Sequence, residues 1–127
     1  MEPLQPVSVR AKLDSFSETW SPKIIARVNE FAVKAVKLDG EFIWHHHDDD
    51  DEIFYVVRGH IDMHYRDASG AERVAPFGDG ELLTVPRGME HKPVAAPGTE
   101  LLLIERAEVA NTGNVRDSDR TRAAVAL

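Results

Sequence analysis

Residues 45–59 read HHHDDDDEIFYVVRG: a histidine triplet, an acidic run and an apolar segment closed by a glycine. Within it, Ile53–Val57 is rich in β-branched and aromatic residues, the composition favoured in strands. Arg58-Gly59 follows as a turn signal. The stretch therefore predicts a strand that begins directly behind a group of side chains of the types that bind metals.

The spacing of these polar side chains indicates which of them share a face. In extended backbone, residues i and i+2 point to the same side, so His45 and His47 project together and His46 points away. Glu52 lies five residues after His47, beyond a turn, and can reach back to the same interior. We therefore predict that His45, His47 and Glu52 converge.

A fourth candidate ligand comes from a separate stretch, residues 80–91, which read GELLTVPRGMEH. Here a predicted strand, Glu81–Val85, is followed by a Pro86-Arg87-Gly88 turn and then by His91. Three imidazoles and one carboxylate form a nitrogen/oxygen site for a first-row divalent metal. Iron, manganese, nickel, cobalt and zinc all fit such a ligand set, and the sequence does not choose between them.

Three simpler interpretations of these residues compete with a metal site. The histidine triplet is not an expression tag, because it is internal and flanked by strand-like sequence. The four aspartates at 48–51 are best explained as a solvated acidic turn. Isolated surface histidines are the third alternative, but the paired spacing of His45 and His47 with Glu52 and a distant His91 favours metal binding.

The rest of the chain indicates an all-β fold. Short apolar or alternating segments recur every 8–12 residues or so, separated by Gly/Pro/Asp turns, with no long helical period, as in a β-sandwich or barrel. Asp39-Gly40 is predicted as a hairpin turn. The other predicted strands are Ile24–Val28, Phe31–Leu38, Glu41–His45, His60–Arg66, Ala71–Ala75, a segment around Val94 and Thr99–Glu105.

We predict three segments: an N-terminal arm at 1–22, a barrel at 23–106 and a loose polar tail at 107–127. Pro3, Pro6 and Pro22 break the arm, in which we expect a short turn near Asp14–Trp20 and burial of Phe16 and Trp20 as anchors. The tail is polar and charged, which is typical of a segment without a packed core.

Composition excludes several classes of function. The chain of 127 residues has a net charge of −7, which disfavours nucleic acid and anionic membranes as partners. It has no cysteine, so thiolate metal sites and disulfides are excluded. No apolar run reaches the ~18 residues of a membrane span, and the start lacks a signal-peptide pattern. We therefore expect a cytoplasmic protein.

The two stretches resemble the two motifs of the cupin superfamily. His45, His47, Glu52 and Gly59 match its first motif, Gly-x5-His-x-His-x(3–4)-Glu-x6-Gly, although four rather than five residues separate Gly40 from His45. Residues 80–91 match the second motif, except that Ala95 replaces its final asparagine. More narrowly, the chain is similar to small single-domain bacterial cupins of the mannose-6-phosphate-isomerase-like group.

This resemblance implies a double-stranded β-helix with a divalent metal held by His45, His47, Glu52 and His91. Four protein ligands leave open positions for water, dioxygen or a small chelating, anionic organic molecule. Oxygenase or isomerase chemistry would follow, but no catalytic residue is identified. The alternatives are a non-catalytic binding or sensing module with a structural metal, and a metal-free barrel that serves association. We also expect a homodimer, with the arm and Phe31–Leu38 as contacts.

Several neighbours carry weaker expectations. Phe54 and Val56 stand at alternate positions after Glu52 and so point to the same side of the strand. They are better explained by core packing than by substrate contact. Among the remaining candidates, His60, His64 and Arg87 are more typical of the surface, whereas Tyr65 could serve the site and Trp44 would pack between sheets or subunits.

Overall fold

The computed structural model describes residues 3–115 and 118–127; residues 1–2 and 116–117, parts of the predicted arm and tail, lie outside the described residues. Over the described residues the chain has one short helix and eight strands. These are α1 (Val9–Asp14), β1 (Lys23–Val28), β2 (Phe31–Glu41), β3 (Glu52–Arg58), β4 (His60–Arg66), β5 (Glu72–Gly78), β6 (Leu82–Val85), β7 (His91–Arg106) and β8 (Val125–Ala126). The prediction of an all-β fold is confirmed.

Strand β7 organises the molecule because it is paired along both edges. One edge pairs antiparallel with β2. The other edge pairs with β4 over His91–Ala95 and with β3 over Glu100–Ile104. Strand β5 lies beyond β4, and β6 lies beyond β3. One hydrophobic cluster joins Leu101 of β7 to Ile61 of β4 and Phe54 of β3. The strands that pair with different parts of β7 therefore enclose a common core.

The predicted hairpin turn at Asp39-Gly40 is wrong, because β2 runs through it to Glu41. Leu38 pairs with Thr99 and Gly40 pairs with Ala95, so residues 96–98 bulge from β7 opposite Asp39. The turn residues therefore mark a bulge that bends both strands without ending them. For the same reason, β7 is a single strand of 16 residues where the sequence indicated two.

The predicted strand Glu41–His45 is also wrong. After Glu41 the chain leaves the ladder, and only His45 returns, in an isolated antiparallel bridge with His91. The segment contains residues that favour strands because it is a partly buried connection, in which Phe42 is 6% exposed. The segment delivers the histidine triplet to the barrel without being a strand.

The N-terminal arm contains a helix that the sequence did not indicate. Ser8 caps α1 through a hydrogen bond that its hydroxyl accepts from the Ala11 N–H, at 3.0 Å. With six residues, α1 is too short to show a helical period. Leu13 is fully buried, in a cluster with Phe16 that packs on the outside of the barrel. The expected burial of Phe16 and Trp20 is observed, at 8% and 9% exposure.

The C-terminal segment is polar and mostly irregular, as expected, but it is packed rather than loose. Strand β8 pairs parallel with β1. The Asn111 side chain donates to the backbone carbonyls of Trp20 and Arg120, and Thr112 is fully buried. Individual side-chain hydrogen bonds fix this segment, which composition alone could not show. Among the described residues, no helix has the length and apolar character to cross a membrane.

Candidate metal centre

Backbone hydrogen bonds bring the two histidine-bearing stretches together. The N–H of His45 donates to the carbonyl of His91 at 3.0 Å, and the N–H of His91 donates to the carbonyl of His45 at 2.9 Å. The N–H of Gly88, in the turn before His91, donates to the carbonyl of His47 at 2.8 Å. The turn and the triplet therefore hold each other in register.

The four predicted ligands converge as a buried cluster. One donor atom from each of His45, His47, Glu52 and His91 lies within 4.8 Å of the others. Their exposed fractions are 3%, 7%, 3% and 0% in that order. We call these residues the four-residue cluster. His46 points elsewhere and contacts Asp48 at 2.8 Å, as its alternate position in the triplet predicted.

The donor atoms in this cluster lack protein partners. His47 Nε2, His91 Nε2 and Glu52 Oε1 are all buried without a hydrogen bond. Glu52 Oε1 lies 3.5 Å from His47 Nε2 and 3.3 Å from His91 Nε2. A buried polar atom left unsatisfied costs about 1–3 kcal/mol. A divalent cation placed among these atoms would satisfy all of them, so the residues fit the metal that the ligand types indicate.

Backbone carbonyls fix the histidine rings in the orientation that metal binding requires. His45 Nδ1 lies 2.9 Å from the carbonyl of Ile43, and His91 Nδ1 lies 2.9 Å from the carbonyl of Met89. Because a carbonyl only accepts, each Nδ1 carries a proton, and in the neutral form of such a ring the free lone pair is on Nε2. Outer hydrogen bonds of this kind orient histidine ligands in metal sites.

Electrostatics favour a neutral histidine beside a charged carboxylate. Burial, and then the nearby His91, lower the pKa of His45 to about 3, so its ring is neutral at physiological pH. Burial would raise the pKa of Glu52, but the nearby side chains of His47, His91 and Glu105 hold it well below its ordinary value. The cluster thus presents an ionised carboxylate to a cation.

Sequence reasoning missed two charged residues beside the cluster, Lys34 and Glu105. Their side chains are 0% and 1% exposed, and Lys34 Nζ lies 2.8 Å from Glu105 Oε2. Burial, and then the charge of Glu52, raise the pKa of Glu105 well above its ordinary value. A signal was present in the sequence, because each residue interrupts an apolar stripe of alternating positions in its strand: Val36 and Leu38 in β2, Leu101 and Leu103 in β7.

The acidic run is a largely exposed turn, tied to the barrel at two points. Asp50 forms an ion pair with Arg106, and Asp51 Oδ1 accepts from the backbone N–H of Arg87 at 2.9 Å. The Arg87 side chain is 66% exposed and lies 3.6 Å from Asp51, which agrees with its surface interpretation. These aspartates shape the loop between His47 and Glu52.

The other named candidates lie outside the four-residue cluster. His60 pairs with Asp62 at 2.9 Å, and His64 lies 3.5 Å from Glu72. Trp44 is flanked by Arg66 and Lys92 in cation–π contacts. Phe54 and Val56 belong to the core, as expected. Phe54 also meets the ring of His91 edge to face, at a centroid distance of 6.1 Å.

Besides an open cleft of about 590 Å³ on the side of His47, lined also by Asp49 and Arg106, two smaller cavities adjoin the cluster. One, of about 30 Å³, is lined by His45, Glu52 and apolar side chains that include Trp20, Phe42 and Phe54. This volume accommodates about two water-sized ligands. The other, of about 220 Å³, has a mainly apolar lining: Met63, Tyr65, Ala75, Leu83, Thr84, Val85, Pro86 and Met89. It lies next to the cluster, because Tyr65 pairs with His91 and Val85 pairs with Glu52.

Comparison with solved structures supports this description. A cupin-2 domain containing protein from Shewanella frigidimarina is 36% identical, with a TM-score of 0.73 over 79% of this chain and 93% of that one. A protein from Neisseria meningitidis is 30% identical, with a TM-score of 0.69 over 80% and 99% of the two chains. Bacillus subtilis oxalate decarboxylase, as a variant, is 25% identical, with a TM-score of 0.53 over 61% and 21%.

No curated protein matches the sequence significantly. The family model described as "Cupin domain" matches residues 34–105, more than half of the 127 residues. The double-stranded β-helix expected from the two motifs is therefore confirmed. The chain belongs to the cupin superfamily.

Proposed function

We propose that this cupin binds one divalent transition metal through His45, His47, Glu52 and His91. The metal in turn binds or acts on a small chelating organic anion. The observation that carries the proposal is the convergence of three buried donor atoms without protein partners. When bound, the metal would polarise a substrate oxygen or acidify a water. Iron, manganese, nickel, cobalt and zinc all suit this ligand set.

Charge and space support the proposed ligand class. One ionised carboxylate among three imidazoles leaves a divalent ion with a net positive charge, which attracts an anionic chelator. The cavity of about 30 Å³ at His45 and Glu52 restricts the group that reaches the ion to a small one. Oxalate decarboxylase, to which the chain is similar, is named for a small dicarboxylate.

The neighbouring residues would hold the ligand rather than react with it. The stacked rings of Trp20 and Phe42, 4.5 Å apart, close one side of the small cavity and exclude water from it. The larger cavity would take an apolar portion of the ligand, with the phenol of Tyr65 as a polar group in its lining. The chemistry that follows would be of the oxygenase or isomerase type.

A second candidate function, non-catalytic binding or sensing with a structural metal, is favoured by the lining of the small cavity at His45 and Glu52. The walls of that cavity are mainly apolar, and the ligand residues are its only ionisable side chains. A binding module needs no general base and shows no turnover. An enzyme of the proposed type would turn over its substrate only with the metal bound. Loss of turnover in a folded His47→Ala variant would distinguish the enzyme from the binding module.

The proposal is tested by titrating oxalate, as a probe, into cobalt-loaded and chelator-treated protein in a calorimeter. We expect binding heat from the loaded protein alone, because the probe would coordinate the ion. Matched heats from the two samples would show that the metal takes no part in binding, and would contradict the proposed function. The cobalt-loaded His46→Ala variant, changed at a residue outside the cluster, is the control. It should bind oxalate like the wild type.

We also propose, as extensions of the sequence predictions, that the chain belongs to the mannose-6-phosphate-isomerase-like group, works in the cytoplasm and forms a homodimer. The exposed apolar side chains of Val7, Val28 and Phe31, at 44%, 57% and 37% exposure, support contacts through the arm, the end of β1 and the start of β2. The barrel boundaries 23–106 likewise stay a proposal.

A further inference from the structure

Lys34 and Glu105 form a fixed ion pair inside the barrel. Lys34 Nζ donates to Glu105 Oε2 at 2.8 Å, to the carbonyl of Arg106 at 3.0 Å and to the carbonyl of Val109 at 3.2 Å. These three acceptors use all three protons of the ammonium group. The lysine therefore has one well-defined position, and it fixes the carboxyl group of Glu105.

Stability alone does not explain a buried ion pair at this place. Removing two charges from water costs several kcal/mol each, and well-packed apolar residues of similar volume are often as stabilising or better. The neighbouring inward positions of the same two strands, Val36 and Leu103 among them, are apolar. An apolar pair at 34 and 105 would continue both stripes, so the charged pair points to another role.

The pair extends directly to the four-residue cluster. The antiparallel register of β3 with β7 places Glu52 opposite Glu105, and both side chains are buried. Glu105 Oε1 is buried and has no protein donor of its own. On the other side, Glu52 Oε1 faces the Nε2 atoms of His47 and His91. A row of buried charged side chains thus runs from Lys34 through Glu105 to Glu52.

We propose that Lys34 and Glu105 are positioning residues, which hold the Glu52 carboxylate so that Oε1 points at the imidazoles of the metal centre. The inference rests on the proposed metal binding. It assigns to this chain a carboxyl-and-lysine support for the one anionic ligand, as backbone carbonyls support His45 and His91. Under this proposal, metal affinity depends more on the length of the side chain at position 105 than on its charge.

The test compares Glu105→Asp with Glu105→Gln. Aspartate keeps the charge but withdraws the carboxyl group by one methylene, away from Glu52. Glutamine loses the charge but keeps the length, with an amide oxygen for Lys34 and an amide N–H for Glu52. We expect Co²⁺ affinity to fall about 10- to 100-fold in Glu105→Asp, as for other outer residues of metal sites, and to stay within about threefold of wild type in Glu105→Gln.

A double variant, Lys34→Met/Glu105→Leu, separates positioning from stability. We expect its metal-free form to melt at or above the wild-type temperature, while its Co²⁺ affinity falls at least about 10-fold. Wild-type affinity in both Glu105→Asp and the double variant would overturn the inference and leave an ordinary structural ion pair. If the double variant does not fold, the two single variants decide the question alone. Failure of the wild type to bind Co²⁺ would overturn the metal centre itself, and this inference with it.

Discussion

Replacing His91 with alanine is expected to lower Co²⁺ affinity by at least about 100-fold, more than loss of an outer hydrogen-bonding residue in a metal site. The His91 side chain is fully buried, and its Nε2 is one of the three buried atoms without a protein partner. Alanine removes a donor for which no neighbour can substitute. Titration of Co²⁺, followed by its visible absorption, measures the change.

His46→Ala is the matched control for that substitution. It removes an imidazole from the same triplet, but one that is directed toward Asp48 and lies outside the four-residue cluster. We expect affinity within about threefold of wild type. Equal losses in His46→Ala and His91→Ala would show that binding does not distinguish the four-residue cluster from a histidine outside it, and would contradict the assignment of ligands.

Replacing Gly59 with alanine is expected to destabilise the protein by about 3 kcal/mol or more. Gly59 has a φ of 122°, and an added Cβ would lie 2.4 Å from Thr99 Oγ1 and 2.8 Å from Thr99 Cα. Thr99 cannot withdraw, because it is fully buried and its hydroxyl donates to the carbonyl of Ala96 at 2.7 Å. Backbone strain and overpacking each cost about 1–3 kcal/mol. Urea unfolding of the metal-free protein measures the difference in the free energy of unfolding.

Gly70→Ala is the control for the steric part of this effect. Gly70 has a φ of 84°, but an added Cβ would meet nothing within 4 Å. Backbone strain alone should therefore cost about 1 kcal/mol. If the two variants lost the same stability, the close approach of Gly59 to β7 would not be the reason for glycine at this position.

The residues of the four-residue cluster could be predicted from sequence mainly because their chemistry, and the spacing of His45, His47 and Glu52, are local signals. The i, i+2 relation of His45 and His47 places both rings on one side even though neither lies in a regular strand. His91 was a candidate from its own stretch, but its contact with His45 spans 46 residues and is not a local signal. The strand composition of β3 and β4 was equally local, and these strands lie where they were predicted.

Other features depend on contacts that composition does not encode. Asp39-Gly40 has the signature of a turn, yet the pairing of β2 with β7 on both sides of it produces a bulge. Helix α1 is specified by a single cap and one buried leucine, and the C-terminal segment by the side chains of Asn111 and Thr112. The Lys34–Glu105 pair connects strands 71 residues apart, and only the assembled barrel shows that both side chains point inward.

The most direct test of the metal centre is the metal content of the wild-type protein, purified without a histidine tag and analysed by elemental mass spectrometry. The structure predicts about one first-row transition metal per chain, retained through dialysis, because four buried side chains converge on a single point. Protein without metal, both as purified and after incubation with iron, manganese, nickel, cobalt and zinc salts, would contradict the central claim.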